Sequence, residues 1–155
     1  ILGKDNESPV QIEADTQPQH HDAVLPWREI RMKYADGTQI ILDGENRYKE
    51  AAFIEGPNGK LFKGFKSDIP DLEKRLAEFP EPEPQVTDFI EAVKERKKFA
   101  LNEVNGHRSC TIVNLAKIAL RTRRRLKFDS DKQRFINDDE ANGYIKQPMR
   151  GPWKV

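Results

Sequence analysis

The hydrophobic and polar positions along this chain change period near its middle. In the first half the period is two. Val10-Gln11-Ile12-Glu13-Ala14 alternates apolar and polar residues, which predicts a half-buried strand. Trp27 to Tyr34 places Ile30, Met32 and Tyr34 on one face, and Gln39-Ile40-Ile41-Leu42 returns after Ala35-Asp36-Gly37-Thr38. The Asp-Gly pair makes this the clearest hairpin in the chain. A second hairpin is expected from Ala51 to Phe65, turning at Gly56-Pro57-Asn58-Gly59, where Asn58 and Gly59 tolerate positive φ. Residues 15–26, bounded by Pro18 and Pro26, read as a loop.

In the second half the period becomes helical. A short helix is expected after Pro70, with Leu72, Leu76 and Phe79 on one side. Pro80-Glu81-Pro82-Glu83-Pro84 is a polyproline-like spacer between subregions of one domain. Thr87 or Asp88 should cap the next helix, with Phe89, Ile90 and Val93 facing inward. A helix from about His107 to Arg123 carries apolar residues around most of its circumference, as expected of a helix surrounded by protein. A last short helix is expected from Asp138 to Tyr144 with Asn137 as its cap, and Pro148 and Pro152 imply an extended end. Strands first and helices second predict an α+β fold, an antiparallel sheet covered on one face.

Composition narrows the classes. The 155 residues suffice for one domain spanning 1–155 with a real core, and 34% of them are charged. No apolar run approaches the roughly 18 residues that cross a bilayer, so no membrane partner is expected. One cysteine rules out a disulfide within the chain and fits a reducing cytoplasm. The chain opens Ile1-Leu2-Gly3, with no Met and no signal-peptide core, and reads as a fragment or processed product. An upstream export signal is compatible with that. Net charge is +1 but uneven. Residues 1–93 hold 11 Lys+Arg against 19 Asp+Glu, net −8, and residues 94–155 hold 16 against 7, net +9.

Candidate chemistry is sparse. No two glycines are spaced G-x-G, so no dinucleotide fingerprint is present, and Gly56-Pro57-Asn58-Gly59-Lys60 reads as a turn rather than a phosphate loop. Adjacent His20 and His21, a solitary His107 and a single cysteine make no zinc site. Cys110 lies three residues after His107 and could share a helix face with it, but a small buried cysteine is the preferred reading. Arg121, Arg123, Arg124 and Arg125 lack interleaved aromatics, which favours a helix end or intramolecular ion pairs over nucleic acid. Gly106-His107-Arg108-Ser109 is the richest stretch, an imidazole, a guanidinium and a hydroxyl at an expected helix start. Two readings stay open there: a ligand site at free N–H groups, or a capped helix with Arg108 in a structural ion pair.

At this stretch the sequence resembles a known family. From about Glu103 to Val155 four motifs follow in order: Gly106-His107-Arg108-Ser109, Arg124-Arg125-Leu126-Lys127-Phe128-Asp129, Asp138-Asp139-Glu140-Ala141-Asn142 after an aromatic at Phe135, and Pro148-Met149-Arg150-Gly151-Pro152-Trp153. Together they resemble the end of the Gfo/Idh/MocA oxidoreductases, in the bacterial subgroup with an extended C-terminus. Phe128 stands where Trp is commoner, and residues 1–80 match by pattern more than by identity.

The resemblance implies an open, predominantly antiparallel sheet with helices on one face, as in the C-terminal domain of these glyceraldehyde-3-phosphate-dehydrogenase-like enzymes. It implies NAD or NADP bound by a separate Rossmann domain and a sugar, cyclitol or related polyol substrate. It also implies a homo-oligomer formed through the sheet face. The family's catalytic lysine and its Asp/His motif have no counterpart here, so no catalytic, cofactor-binding or metal residue is expected in the chain, and the chain alone should be inactive. His107 and Arg108 are the candidates for the substrate side of the domain. The competing reading is a non-enzymatic interaction or oligomerisation module of the same fold.

Overall fold

The computed structural model describes residues 3, 4, 6–21, 23–81, 84–146, 151 and 152. The chain divides into two compact units, Ile1–Glu45 with Leu101–Val155, and Asn46–Ala100. The first unit opens with β1 (Gln11–Thr16), β2 (Trp27–Lys33) and β3 (Gln39–Asp43). The second unit carries β4 (Ile54–Gly56), β5 (Gly59–Phe62), β6 (Lys66–Ser67), α1 (Leu72–Ala77) and α2 (Phe89–Glu95). The chain then returns to the first unit as α3 (Glu103–Thr122), β7 (Leu126–Asp129), β8 (Arg134–Phe135) and α4 (Asp139–Gly143). The Pro80–Pro84 run therefore falls within the span of the second unit, and the division comes at residues 45/46 and 100/101 instead.

In the first unit the strands pair in the order β3-β2-β1-β7-β8, every neighbour antiparallel. The sheet places Ile12, Ala14, Ile30, Met32, Leu126 and Phe128 on one side, all buried. α3 lies across that side on β1 and β2 and contributes Leu115, Ile118 and Ala119 to the same core. Burial of these apolar side chains is what holds the layers together. Phe128, the departure from the commoner Trp, is 4% exposed and meets Phe135 edge to face at 5.3 Å.

Local devices fix the ends of these elements. The Asp36-Gly37 turn closes the β2–β3 hairpin, with Gly37 at φ 93°. At the far end Asp15 pairs with Glu29 and Thr16 with Trp27, so Arg28 is the extra residue of a bulge. The bulge brings Trp27 against the core, and Gly44 lies directly on it.

α3 begins earlier than its pattern predicts. Asn102 is the cap, its Oδ1 accepting from the N–H groups of Val104 and Asn105, both at 3.1 Å. A cap followed by acidic Glu103 outweighs the helix-weakening Gly106. The expectation of an all-round apolar helix is also corrected. Burial is confined to Leu115, Ala116, Ile118, Ala119 and Leu120, and Val113 is 66% exposed. The helix covers only one face of a sheet, so a single stripe finds apolar partners. At α4 the cap is Asp138 rather than Asn137, because Asp138 accepts from the Ala141 N–H while Asn137 takes a left-handed φ of 53°. The expected extension around Pro148 lies outside the described residues.

In the second unit, Gly56 pairs with Gly59 across a two-residue Pro57-Asn58 turn, and Gly59 alone of the two expected positions adopts positive φ, at 141°. β6 extends this hairpin to three strands, and Ser67 Oγ donates to the Lys60 carbonyl at 2.8 Å. The inward orientation expected of Phe89, Ile90 and Val93 is not found. They are 60%, 59% and 51% exposed, and Ala92 is the buried residue of α2. A seven-residue helix offers too short a stripe to build a core alone. Phe99 meets Phe89 edge to face at 5.7 Å, and a hollow of about 340 Å³ lies between them and Val93, Arg96 and Lys97.

Candidate functional site

The Gly106 to Ser109 stretch lies in the second turn of α3, not at its start. The Gly106 N–H donates to the Asn102 carbonyl at 2.9 Å, and the Asn102 side chain accepts from Val104 and Asn105 before it. The free N–H groups expected at this stretch are therefore occupied. His107 and Arg108 also diverge, because successive helical residues are separated by about 100°. His107 is exposed, as are Ser109 and Cys110, which corrects the expectation of a buried cysteine.

Arg108 turns the other way. It stands four and seven residues before Ile112 and Leu115, on the stripe that faces the sheet, and is partly buried. Its Nη1 donates to the Ser8 Oγ at 3.2 Å. Ser8 is itself buried, just before the fully buried Pro9. The Nε of Arg108 is buried without a hydrogen-bond partner, and no carboxylate among the described residues pairs with this guanidinium. The expected structural ion pair is thus not formed. Sequence reading missed Ser8, which lies 100 positions away in the chain and carries no local signal.

Three of the four arginines at the end of α3 are engaged within the molecule. Arg124 donates from Nη2 and Nε to the two carboxylate oxygens of Asp138, at 2.7 and 3.3 Å, and from Nη1 to Glu140 at 2.7 Å. The Ala141 N–H, followed by the Arg124 guanidinium, holds the Asp138 carboxyl below its ordinary range. Arg125 binds Glu13 on β1 at 2.9 Å, and the Arg121 guanidinium lies 5.9 Å from the Tyr144 ring centre. Arg123 closes α3 in a left-handed conformation. Asn142 completes the network by bonding both backbone groups of Phe135.

A second electrostatic cluster sits where the segment before β1 meets the first hairpin. Lys4 Nζ binds Asp36 at 2.7 Å and Glu7 at 3.0 Å and lies 5.5 Å from the centre of the buried Tyr34 ring. Lys4, followed by the Thr38 N–H, lowers the Asp36 pKa to about 2. The sheet face opposite α3 is mostly polar: Glu13 stands opposite Arg31, and Gln11 lies between Lys33 and Lys127, while Ile41 lies beside Arg31 and Glu29 is buried.

These features define an α+β domain built on an open antiparallel sheet, with helices on one face and a mostly polar surface on the other. The chain belongs to the Gfo/Idh/MocA oxidoreductases: the model of the oxidoreductase family's C-terminal alpha/beta domain matches residues 1–155. No curated protein and no solved structure matches the chain.

The described residues do not fit a nicotinamide dinucleotide. A pyrophosphate cradle needs glycines where the backbone approaches phosphate at a helix start. Here Gly106 is inside a helix with its N–H bonded, and a Cβ there would meet nothing. Among the described residues no three His, Cys, Asp or Glu side chains converge as a metal site, and no helix is long and apolar enough to cross a membrane.

Proposed function

We propose that this chain is the substrate-side domain of an NAD(P)-dependent oxidoreductase acting on a sugar, cyclitol or related polyol. Membership of the Gfo/Idh/MocA family over the whole chain carries this reading. Hydride transfer belongs to the cofactor, which a separate domain of the parent protein would hold together with the catalytic lysine and the Asp/His motif. The part of this chain is to shape the pocket that holds the hydroxyl-bearing substrate. His107 and Arg108 are the proposed pocket residues. Arg108 is the stronger of the two, because its guanidinium is positioned by Ser8 and still has donor capacity to spare.

The mostly polar sheet face opposite α3 is proposed to receive a second copy of the protein. Glu13, Arg31 and Arg125 supply charges of both signs there, which suits self-complementary pairing.

Calorimetry with NAD(H) and NADP(H), on this chain and on the parent, tests the reading. Binding by the parent and none by the chain is the expected result, followed by turnover in a polyol screen. Failure of both to bind would leave the interaction-module reading in its place.

A further inference from the structure

We infer that Arg108 is the seat of a carboxylate, and that the substrate class it fits is a sugar acid rather than a neutral polyol. The inference rests on the proposed reading of Arg108 as a pocket residue and adds the chemistry of its ligand. A guanidinium presents Nε and Nη2 as one edge, whose two parallel N–H groups match the two oxygens of a carboxylate. This molecule shows how such an edge is filled. Arg124 turns its Nε and Nη2 to Asp138 and gives its Nη1 to Glu140. At Arg108 the arrangement is half complete. Nη1 is held by the neutral Ser8 hydroxyl, and the Nε beside it is buried and unpartnered.

A partly buried cation with no carboxylate among the described residues paired to it is an unfavourable arrangement, and folds rarely leave a buried donor unmet. The Ser8 bond orients the guanidinium. The residue as a whole keeps some exposure, but its Nε has none, so a carboxylate reaches that N–H only as the side chains around it give way. A monoanion suits the site better than a phosphate, which draws several donors. The edge is that of one guanidinium, and the Val104 and Asn105 N–H groups in the first turn of α3 are committed to Asn102. The carboxylate could come from the substrate or from an acidic side chain elsewhere in the parent protein.

The test is a titration of the 155-residue chain, followed through the Nε–H resonance of Arg108, which is assigned by its loss in Arg108→Lys. The probes are glucuronate, glucose and acetate. Glucuronate is expected to move the resonance saturably while glucose leaves it in place, with acetate at least about tenfold weaker; calorimetry, which does not need that resonance, is expected to show Arg108→Lys binding glucuronate about tenfold or more weakly. No shift with glucuronate, or an equal shift with glucose, overturns the inference without needing the variant to fold. Acetate as tight as glucuronate overturns the sugar-acid assignment and points to an acidic side chain of the parent. Turnover of neutral polyols by the parent, with no glucuronate shift in the chain, sinks this inference and leaves the proposed function standing. A glucuronate shift with no dehydrogenase activity on any hydroxyl substrate does the reverse.

Discussion

The side-chain amide of Asn142 clamps the backbone of Phe135 at both of its polar groups. Its Oδ1 accepts from the Phe135 N–H at 2.8 Å, and its Nδ2 donates to the Phe135 carbonyl at 2.9 Å. This ties α4 to β8, the two-residue edge strand that no long ladder supports. Replacing Asn142 with Ala removes both bonds and should lower unfolding stability by about 2 kcal/mol, at roughly 1 kcal/mol for each bond. Urea denaturation measures it. An unchanged midpoint would mean that the clamp adds nothing.

Asp138 serves both Arg124 and the first turn of α4. Asp138→Ala loses the cap and should cost about 1 kcal/mol. Asp138→Asn keeps an acceptor for the Ala141 N–H and should cost less at neutral pH. The folded pKa of Asp138 is depressed, so its charge stabilises above the unfolded carboxyl value and stops doing so as pH falls through the folded one. The gap between wild type and Asp138→Asn should therefore close in acid. A gap independent of pH would contradict the ion pair.

Asp36 gives a sharper window. Its pKa falls from 3.8 to about 2 on folding, chiefly through Lys4. Stability from this contact is complete above the unfolded value and disappears as pH drops through about 2. The midpoint difference between wild type and Asp36→Asn should be largest near neutrality, shrink below about pH 4 and vanish near pH 1 to 2. Denaturation curves at three pH values decide it.

Gly44 stands where no side chain fits. A Cβ at this position would lie 2.2 Å from the Trp27 carbonyl oxygen and 2.7 Å from its ring. Gly44→Ala should destabilise by about 1–3 kcal/mol through forced displacement of Trp27. Tryptophan fluorescence during unfolding, recorded in a Trp153→Phe background so that Trp27 alone emits, reports both the loss and its location.

The orientation of α3 is tested by two neighbouring truncations. Leu115 is 2% exposed and faces the sheet, whereas Val113 faces outward. Leu115→Ala should cost about 2–5 kcal/mol, and Val113→Ala should stay within about 0.5 kcal/mol. Equal costs would restore the all-round buried helix.

The sequence by itself determined what local chemistry can determine. Alternation at Ile12 and Ala14 and at Ile30, Met32 and Tyr34 marked the strands, because period-two burial is written residue by residue. The Asp36-Gly37 turn was legible for the same reason, as was a cap at Thr87 or Asp88, of which Asp88 takes the part by accepting from the Glu91 N–H, since a turn or cap bonds to its own neighbours. The ordered motifs after Glu103 marked the family. Tertiary structure decided the rest. It chose which apolar residues of α3 and α2 found partners, and it left Val113 and Phe89 exposed because apolarity does not say where a neighbour lies. It placed Asn102, not the Gly106 stretch, at the start of α3, and so removed the free N–H groups expected there. It assigned the motif residues Arg124, Asp138 and Asn142 to holding β8 and α4, through pairings between residues 7 to 14 positions apart. Ser8 and Arg108 meet across 100 positions. No local pattern encodes such a contact, because it exists only once the segment before β1 and the second turn of α3 are brought against the same sheet.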